Sequence, residues 1–207
     1  GLIIVCFLII IINICGYSVV GNLKYDIYYL KKELRQEEIR LDELKAKVDT
    51  NSSIREIEEK DNKDVENLIR TCLIEFGANK PGCAWSDPDL GRFFQVYQNE
   101  KSKYYVVEDN NKIVAGCGIG PLNGAEDVCE LQKMYSFKEV RGTGIAEKLL
   151  KLSLDFAKEH YKKCYLETFS NMVAANKFYK KSGFTKLDKP LIETEHYACD
   201  VWYIKTL

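Results

Sequence analysis

The strongest constraint on the fold is an alternation of strand-like and helix-like segments between residues 54 and 207. Two apolar runs flank an Asn-Asn pair within residues 103–120, a pattern that predicts a β-hairpin. Apolar side chains at helical spacing predict an amphipathic helix over 144–161, with Ile145, Leu149, Leu152 and Phe156 on its buried side. Further strands are predicted at 54–61, 129–136, 163–170 and 196–207, and further helices at 64–77, 89–100 and 173–183. Together these segments predict an α/β head with a mixed sheet flanked by helices.

Composition excludes several classes of protein. The 207 residues include 30 basic and 31 acidic side chains, so the charge balance gives no indication of a nucleic-acid partner. The 8 cysteines lie in apolar runs without any C-x-x-C pair, which predicts reduced, buried thiols rather than a disulfide scaffold. Only His160 and His196 are available for a histidine-based site, and we predict no bound metal.

Residues 2–21 form an uncharged apolar stretch whose one strongly polar side chain is Asn13. About 20 apolar residues cross a bilayer core as a helix, so residues 1–22 are predicted to be a transmembrane helix. A signal peptide is the main alternative, but no basic segment precedes the stretch and no A-x-A-like cleavage site follows it. A buried helix is the remaining alternative.

Residues 23–50 are predicted to form a helical stalk and linker. Their apolar side chains alternate steps of three and four if Glu37 occupies the missing position; they are Ile27, Leu30, Leu34, Leu41, Leu44 and Val48. Such a heptad seam predicts a short coiled coil and hence a homodimer through the stalk. A single amphipathic helix lying on the membrane or on the head is the alternative, since one seam position is charged.

The charges beside the apolar stretch predict its orientation. Lys24, Lys31, Lys32 and Arg35 follow the stretch and no basic residue precedes it. Since cytoplasmic flanks carry the excess of positive charge, the head at residues 51–207 is expected in the cytoplasm. Asn51 begins an N-x-S glycosylation pattern and should stay unmodified in that orientation.

Two glycines lie between the predicted strand at 129–136 and the long helix. Gly142 and Gly144 fit a tight turn, but they also fit a loop whose backbone closely approaches an anion at a helix N-terminus. A dinucleotide fingerprint would need a small residue where Glu147 stands. The sequence GCGIG at 116–120 precedes a proline instead of a helix, which favours close strand packing or a bulge.

The order Arg141, Gly144, Ala146 after a strand resembles the acetyl-CoA signature of the GNAT superfamily of N-acetyltransferases. A second motif, LETFSNMVAANKFYKKSGF at 166–184, resembles that superfamily's strand, N-x-x-A-A-x-x-F-Y helix and GF exit. The resemblance covers about residues 53–207 and implies the GNAT fold, with a mostly antiparallel sheet. It says nothing about residues 1–50.

The resemblance also implies how acetyl-CoA is bound. Two neighbouring parallel strands of a GNAT fold splay apart, and the pantetheine arm fits the gap as another strand would. The residues implied as cofactor-binding are Met134, Tyr135, Ser136, Arg141, Gly142, Thr143, Gly144, Ile145, Ala146 and Asn176. For Asn176 a solvated helix position is the alternative.

Two residues are predicted to be catalytic. Tyr179 resembles the superfamily's general acid and would protonate the departing thiolate, although a Tyr at this position also suits the core. Glu130 is the carboxylate of the strand at 129–136 and is predicted to be the general base, directly or through water. A purely structural or substrate-positioning Glu130 is the alternative.

These patterns predict an acyltransferase that moves an acetyl group from acetyl-CoA to a primary amine. An acetyl-CoA-binding sensor or scaffold without efficient transfer is the alternative, and a different acyl donor such as succinyl-CoA is a third possibility. The acceptor is not readable, because residues 78–92 and 186–197 carry no motif. On a predicted C-terminal strand, His196 and Asp200 would share a face and line the acceptor pocket, whereas His196 and Cys199 would face opposite sides.

Overall fold

The computed structural model describes residues 23–43 and 52–207. The chain divides into two units, Gly1–Ala46 and Lys47–Leu207. The predicted transmembrane stretch, the end of the stalk and Asn51 lie outside the described residues. Within the described ranges, no helix combines the length and the apolar character needed to cross a membrane.

In the first unit, residues 23–43 form a helix, α1. The predicted seam residues Ile27, Leu30 and Leu34 are 50%, 64% and 61% exposed, respectively. Residues 23–43 are thus helical, and the coiled coil and the homodimer stay predictions.

Over the described residues 52–207, the second unit contains seven strands and four further α-helices. The strands are β1 (Ser52–Glu56), β2 (Lys103–Asp109), β3 (Lys112–Pro121), β4 (Val128–Ser136), β5 (Lys163–Thr168), β6 (Thr185–Leu187) and β7 (Val201–Thr206). The helices are α2 (Asn62–Glu75), α3 (Phe93–Val96), α4 (Ile145–His160) and α5 (Val173–Lys181). The predicted hairpin is confirmed: Asn110 and Asn111 both have left-handed φ angles between β2 and β3.

All strands form one sheet in the order β1-β2-β3-β4-β5-β7-β6. β4 and β5 are parallel, and every other neighbouring pair is antiparallel. The β4–β5 pairing stops at Glu130 and Tyr165, so the two strands separate beyond these residues. This topology places a gap at the carboxyl ends of two adjacent parallel strands.

Core side chains fill both faces of the sheet, as the alternation along β2 illustrates. Tyr105 and Val107 pack in the layer beneath α4 and α5, whereas Tyr104 and Val106 pack in the layer beneath α2 and α3. A strand that is buried on both faces reads as a continuous apolar run, which is how β2 appears in the sequence.

The strand predicted over 54–61 ends at Glu56, because Glu59–Asp61 form a 3-10 helix. Three further predictions about helices and strands need correction. The helix predicted over 89–100 shortens to Phe93–Val96, because Gly91 has a left-handed φ of 88° and Tyr97 leaves helical geometry. On α4, Leu152 is exposed, because the buried face of the helix contains Leu150 and Leu154 in its place.

The last of these corrections concerns the C-terminal segment. Residues 196–200 form a turn before β7, in which the Cys199 amide donates to the His196 carbonyl at 2.9 Å. The turn brings His196 and Cys199 to the same cavity, where the predicted strand would have separated them. Asp200 instead accepts hydrogen bonds from the backbone amide and hydroxyl of Ser170.

Candidate active site

A β-bulge opens the gap between β4 and β5. Cys117 of β3 faces both Lys133 and Met134, because the register shifts between Gly116 and Gly118. Lys133 takes the left-handed φ of 51°, and its carbonyl accepts a hydrogen bond from Tyr104 Oη at 3.1 Å. Such a bulge bends its strand and interrupts the hydrogen-bonding ladder, which suits a site where another group takes the place of a neighbouring strand.

A cavity of about 340 Å³ fills this gap. Side chains or backbone of every predicted site residue except Thr143, Gly144 and Asn176 line it. The lining includes residues of both core layers, with Phe76 and Ala84 from the α2 side and Phe178 and Tyr179 from α5.

The glycine loop leads from the end of β4 into α4. Gly142 and Gly144 have left-handed φ angles of 77° and 93°, a conformation that favours glycine. Thr143 is buried and its hydroxyl donates to the Val140 carbonyl at 2.6 Å. No side chain of the described residues caps α4 at Gly144. The first amides of a 16-residue helix therefore face the cavity mouth with their partial positive charge.

Arg141 fixes this loop to the rest of the fold. Its guanidinium donates to both carboxylate oxygens of Glu75, at 2.6 and 2.8 Å, and to the Ser136 carbonyl. It also stacks over the Phe76 ring at 5.3 Å. The side chain thus ties α2 to the end of β4.

Tyr179 lines the cavity from α5. Its ring packs against Phe184 and Tyr203, and the residue is 8% exposed. Burial raises the pKa of its phenol well above the ordinary value, so the hydroxyl carries its proton at neutral pH.

Asn176 holds the start of α5 in place. Its amide nitrogen donates to the carbonyls of Phe169 and Met172, and its oxygen accepts from Tyr203 Oη at 3.0 Å. These contacts exceed those expected of a solvated helix residue. They leave one lone pair of Oδ1 for a ligand, and its contact with pantetheine stays a prediction.

Glu130 lies at the last paired position of β4, where the gap begins. Its carboxylate accepts a hydrogen bond from Gln132 Nε2 at 2.8 Å. Burial raises the pKa of Glu130, and the charge of Glu167 adds to this effect; the Gln132 hydrogen bond and the charges of Lys133 and His196 act in the opposite direction. A raised pKa brings a carboxylate closer to the range in which a general base works.

The acceptor side contains a charged cluster that the sequence did not reveal. Asp87 accepts from Lys133 Nζ at 2.6 Å and contacts His196 Nε2 at 2.9 Å. Although burial alone would raise the pKa of Asp87, the hydrogen bond from His196 and the charge of Lys133 lower it. The three residues come from segments far apart in sequence, so only the fold brings them together.

Glu167 of β5 was also missed. Tyr165 Oη and Thr194 Oγ1 each donate to one of its carboxylate oxygens at 2.8 Å. Oxygen or nitrogen atoms of Glu130, Glu167 and His196 lie within 4.8 Å of one another. The Lys133 ammonium, 3.3 Å from His196 Nε2, would repel a metal cation here, and we keep the prediction of no metal. The sequence offered one signal for Glu167: it is an acidic residue that directly follows the apolar run Cys164–Leu166 of a predicted strand.

The sequence profile of the Acetyltransferase (GNAT) family matches residues 63–184. The uncharacterized N-acetyltransferase YjgM of Escherichia coli K12 is 40% identical over 151 residues, which are 71% of this chain and 90% of that protein. The chain belongs to the GNAT family of acetyltransferases. The resemblance seen in the glycine loop and the α5 motif is thereby confirmed, and the chain is an acetyltransferase of a family that uses acetyl-CoA.

Other relatives support the GNAT fold. The probable N-acetyltransferase camello of Xenopus tropicalis is 30% identical over 89 residues, 42% of this chain and 41% of that protein. A GNAT acetyltransferase structure from Staphylococcus aureus Mu50 has a TM-score of 0.66 at 23% identity, covering 75% of this chain and 98% of that one. N-acetylglutamate synthase from Neisseria gonorrhoeae, complexed with coenzyme A and L-arginine, has a TM-score of 0.56 at 12% identity over 76% of this chain and 33% of that one.

Proposed function

We propose that this GNAT protein transfers the acetyl group of acetyl-CoA directly to a primary amine while both substrates are bound. The observation that carries this proposal is a single cavity lined by Glu130 and by Tyr179, which belong to opposite faces of the sheet. Cys72 and Cys199 also line the cavity, but burial raises the pKa of both thiols, to about 12 for Cys199. Neutral thiols are poor nucleophiles, which favours transfer without an acyl-enzyme.

Acetyl-CoA would occupy the β4–β5 gap. Backbone groups of Met134, Tyr135 and Ser136 would pair with the pantetheine arm, because the bulge and the separation from β5 interrupt the ladder there. The amides of Gly142, Thr143, Gly144, Ile145 and Ala146 would hold the pyrophosphate at the start of α4. Arg141 would fix this loop through Glu75, and Asn176 would hold the start of α5 beside the pantetheine.

Glu130 is proposed to be the general base. An alkyl amine with a pKa near 10.4 is protonated at neutral pH and must lose a proton before it attacks. Glu130 would take this proton, directly or through water, and the amine nitrogen would bond to the thioester carbon. The neighbouring carboxylate Glu167 would stabilise the ammonium as it arrives.

Tyr179 is proposed to be the general acid. When the carbon–sulfur bond breaks, the electron pair stays on sulfur, and the Tyr179 hydroxyl would donate its proton to the thiolate. This assignment is supported by the position of Tyr179, which lines the same cavity as Glu130. The nitrogen would lose its second proton to solvent as the amide forms, and the Tyr179 phenolate would regain a proton from solvent. The products would be the acetylated amine and coenzyme A.

Two matched substitutions test these roles. Glu130→Gln and Tyr179→Phe should each lower CoA release at least a hundredfold, since general acid–base groups contribute about 10²–10⁴-fold. Calorimetry should show acetyl-CoA binding within about threefold of wild type, because neither side chain holds the cofactor in this proposal. Glu159→Gln on the exposed side of α4 and Tyr28→Phe on α1 are the controls. Wild-type turnover in both site variants would rule out the assigned roles.

A second candidate is an acetyl-CoA-binding sensor or scaffold without efficient transfer. The exposed seam of α1 favours it, since such a surface suits assembly with a second copy or a partner helix. A chain that binds acetyl-CoA but acetylates no amine in a broad panel would support this candidate over the enzyme.

We also propose a domain arrangement for the whole chain. Residues 1–22 would anchor it in a membrane, residues 23–50 would form a stalk that pairs in a homodimer, and the GNAT domain at 51–207 would lie in the cytoplasm. The uncharged stretch at 2–21, the basic residues after it and the exposed α1 seam support this arrangement. Glycosylation at Asn51 in cells would overturn the orientation.

A further inference from the structure

The glycines of the GCGIG sequence on β3 provide space for polar side chains. Gly116, Gly118 and Gly120 lack left-handed φ angles, so backbone conformation does not require glycine at these positions. A Cβ atom would instead lie 2.7 Å from Tyr104 Oη at Gly116, and 2.6 Å from Tyr97 Oη at Gly118. At Gly120 it would lie 2.8 Å from Gln132 Oε1. These distances are shorter than a carbon–oxygen van der Waals contact.

The side chains in this space form a chain of hydrogen bonds that ends on Glu130. Tyr97 Oη donates to Gln132 Oε1 at 2.8 Å, and Gln132 Nε2 donates to Glu130 Oε2 at 2.8 Å. Tyr97 is 7% exposed and packs against Phe93 and Tyr104, so its ring has little freedom to move. The Gln132 amide is thus held between a rigid phenol and the carboxylate.

We propose that Gln132 is the positioning residue of Glu130, and that Tyr97 and the space above Gly120 hold its amide with Nε2 toward the carboxylate. The amide has a donor end and an acceptor end. Its Oε1 accepts from Tyr97 Oη, which leaves Nε2 facing the Glu130 carboxylate, a group that only accepts when ionised. The reverse orientation would place Oε1 against a carboxylate oxygen and disfavour the ionised base. This inference rests on the proposed role of Glu130.

Titratable groups face Glu130 from each element around it, and they also influence its pKa. The measurement must therefore separate the effect of Gln132 on this pKa from theirs. They are Tyr97, Lys133, Tyr165, Glu167, His196 and Cys199. Among the described residues, the donor that forms a hydrogen bond with the Glu130 carboxylate is Gln132. A donor to a carboxylate stabilises the charged form, so its removal must raise the pKa of Glu130.

The test is a carbon-13 NMR titration of the full chain labelled in the glutamate carboxyl carbons, with the Glu130 signal identified by its loss in Glu130→Gln. In Gln132→Met the pKa of Glu130 should rise by about one to two units, the size expected for losing a hydrogen bond to a charged group. Tyr97→Phe and Gly120→Ala should raise it by about half a unit, because the amide stays but loses its fixed orientation. Gln98→Met, an exposed glutamine that bonds to the Phe94 carbonyl, should leave it unchanged.

Thermal unfolding and acetyl-CoA binding identify variants that fold, and Tyr97→Phe or Gly120→Ala decides the outcome if Gln132→Met does not fold. A Glu130 pKa within 0.3 units of wild type in the folded variants, about the error of such a titration, would overturn the inference. Failure of the proposed function is a separate result: turnover would persist in Glu130→Gln, whatever the titration shows.

Discussion

Gly144→Ala tests whether the glycine loop serves acetyl-CoA or only turns the chain. Gly144 has a φ of 93°, and a Cβ atom there would meet nothing within 4 Å. Alanine therefore brings strain without a clash, at about 1–2 kcal/mol for a left-handed residue. For a domain of this size that strain should lower the melting temperature by about 2–8 °C.

In the proposed binding mode, the same Cβ atom would occupy the space through which a pyrophosphate oxygen approaches the first amides of α4. We expect acetyl-CoA affinity, measured by calorimetry, to fall at least tenfold, about the value of one charge-assisted hydrogen bond. Gly144→Val should abolish binding while the head still folds.

Gly124→Ala is the matched control for this substitution. Gly124 also has a left-handed φ, 89°, with nothing within 4 Å of a Cβ atom, and it lies in the β3–β4 loop rather than at the start of α4. The two variants should lose similar stability, and only Gly144→Ala should lose affinity. Equal affinities in both would refute the assignment of this loop to the cofactor.

Two further predictions concern the ion pairs around the cavity. Asp87→Asn should cost about 3 kcal/mol in urea unfolding at pH 7, because it leaves Lys133 and His196 without their buried partner. The pKa of Asp87 is lowered, so its contribution is present above the ordinary aspartate pKa of about 4 and is lost as pH falls through the lowered pKa. The difference in stability between variant and wild type should therefore shrink as pH falls below about 4, and a difference independent of pH would contradict this. Arg141→Ala should lower the free energy of unfolding by only about 1 kcal/mol, because the side chains of the Arg141–Glu75 ion pair are about a third exposed. The same substitution should weaken acetyl-CoA binding at least tenfold by calorimetry. An unchanged affinity would argue against the anchoring role of Arg141.

Local chemistry explains which elements the sequence could predict. The Asn110–Asn111 turn and the helix α4 depend on neighbouring residues, and both elements were predicted correctly, with Leu152 wrongly placed on the buried side of α4. The glycine loop and the α5 motif identified the family for the same reason, because each lies in one short segment.

The bulge at Lys133, the turn at 196–200 and the Asp87 cluster depend on contacts between distant segments. The Ala198 amide donates to the Gly82 carbonyl at 3.1 Å, and this contact replaces the strand that the pattern at 196–200 predicted. The sequence predicted no role for Gln132, because that role requires a contact with Tyr97, which follows α3.

Amine-dependent release of coenzyme A tests the central claim most directly. The full chain, purified in detergent, would be incubated with acetyl-CoA and a panel of primary amines, and free thiol and acetylated amine would be quantified together. We predict at least one amine for which both products appear in equal amounts, and for which Glu130→Gln and Tyr179→Phe suppress both. Acetyl-CoA that binds in the cavity but yields neither product with any amine would contradict the account.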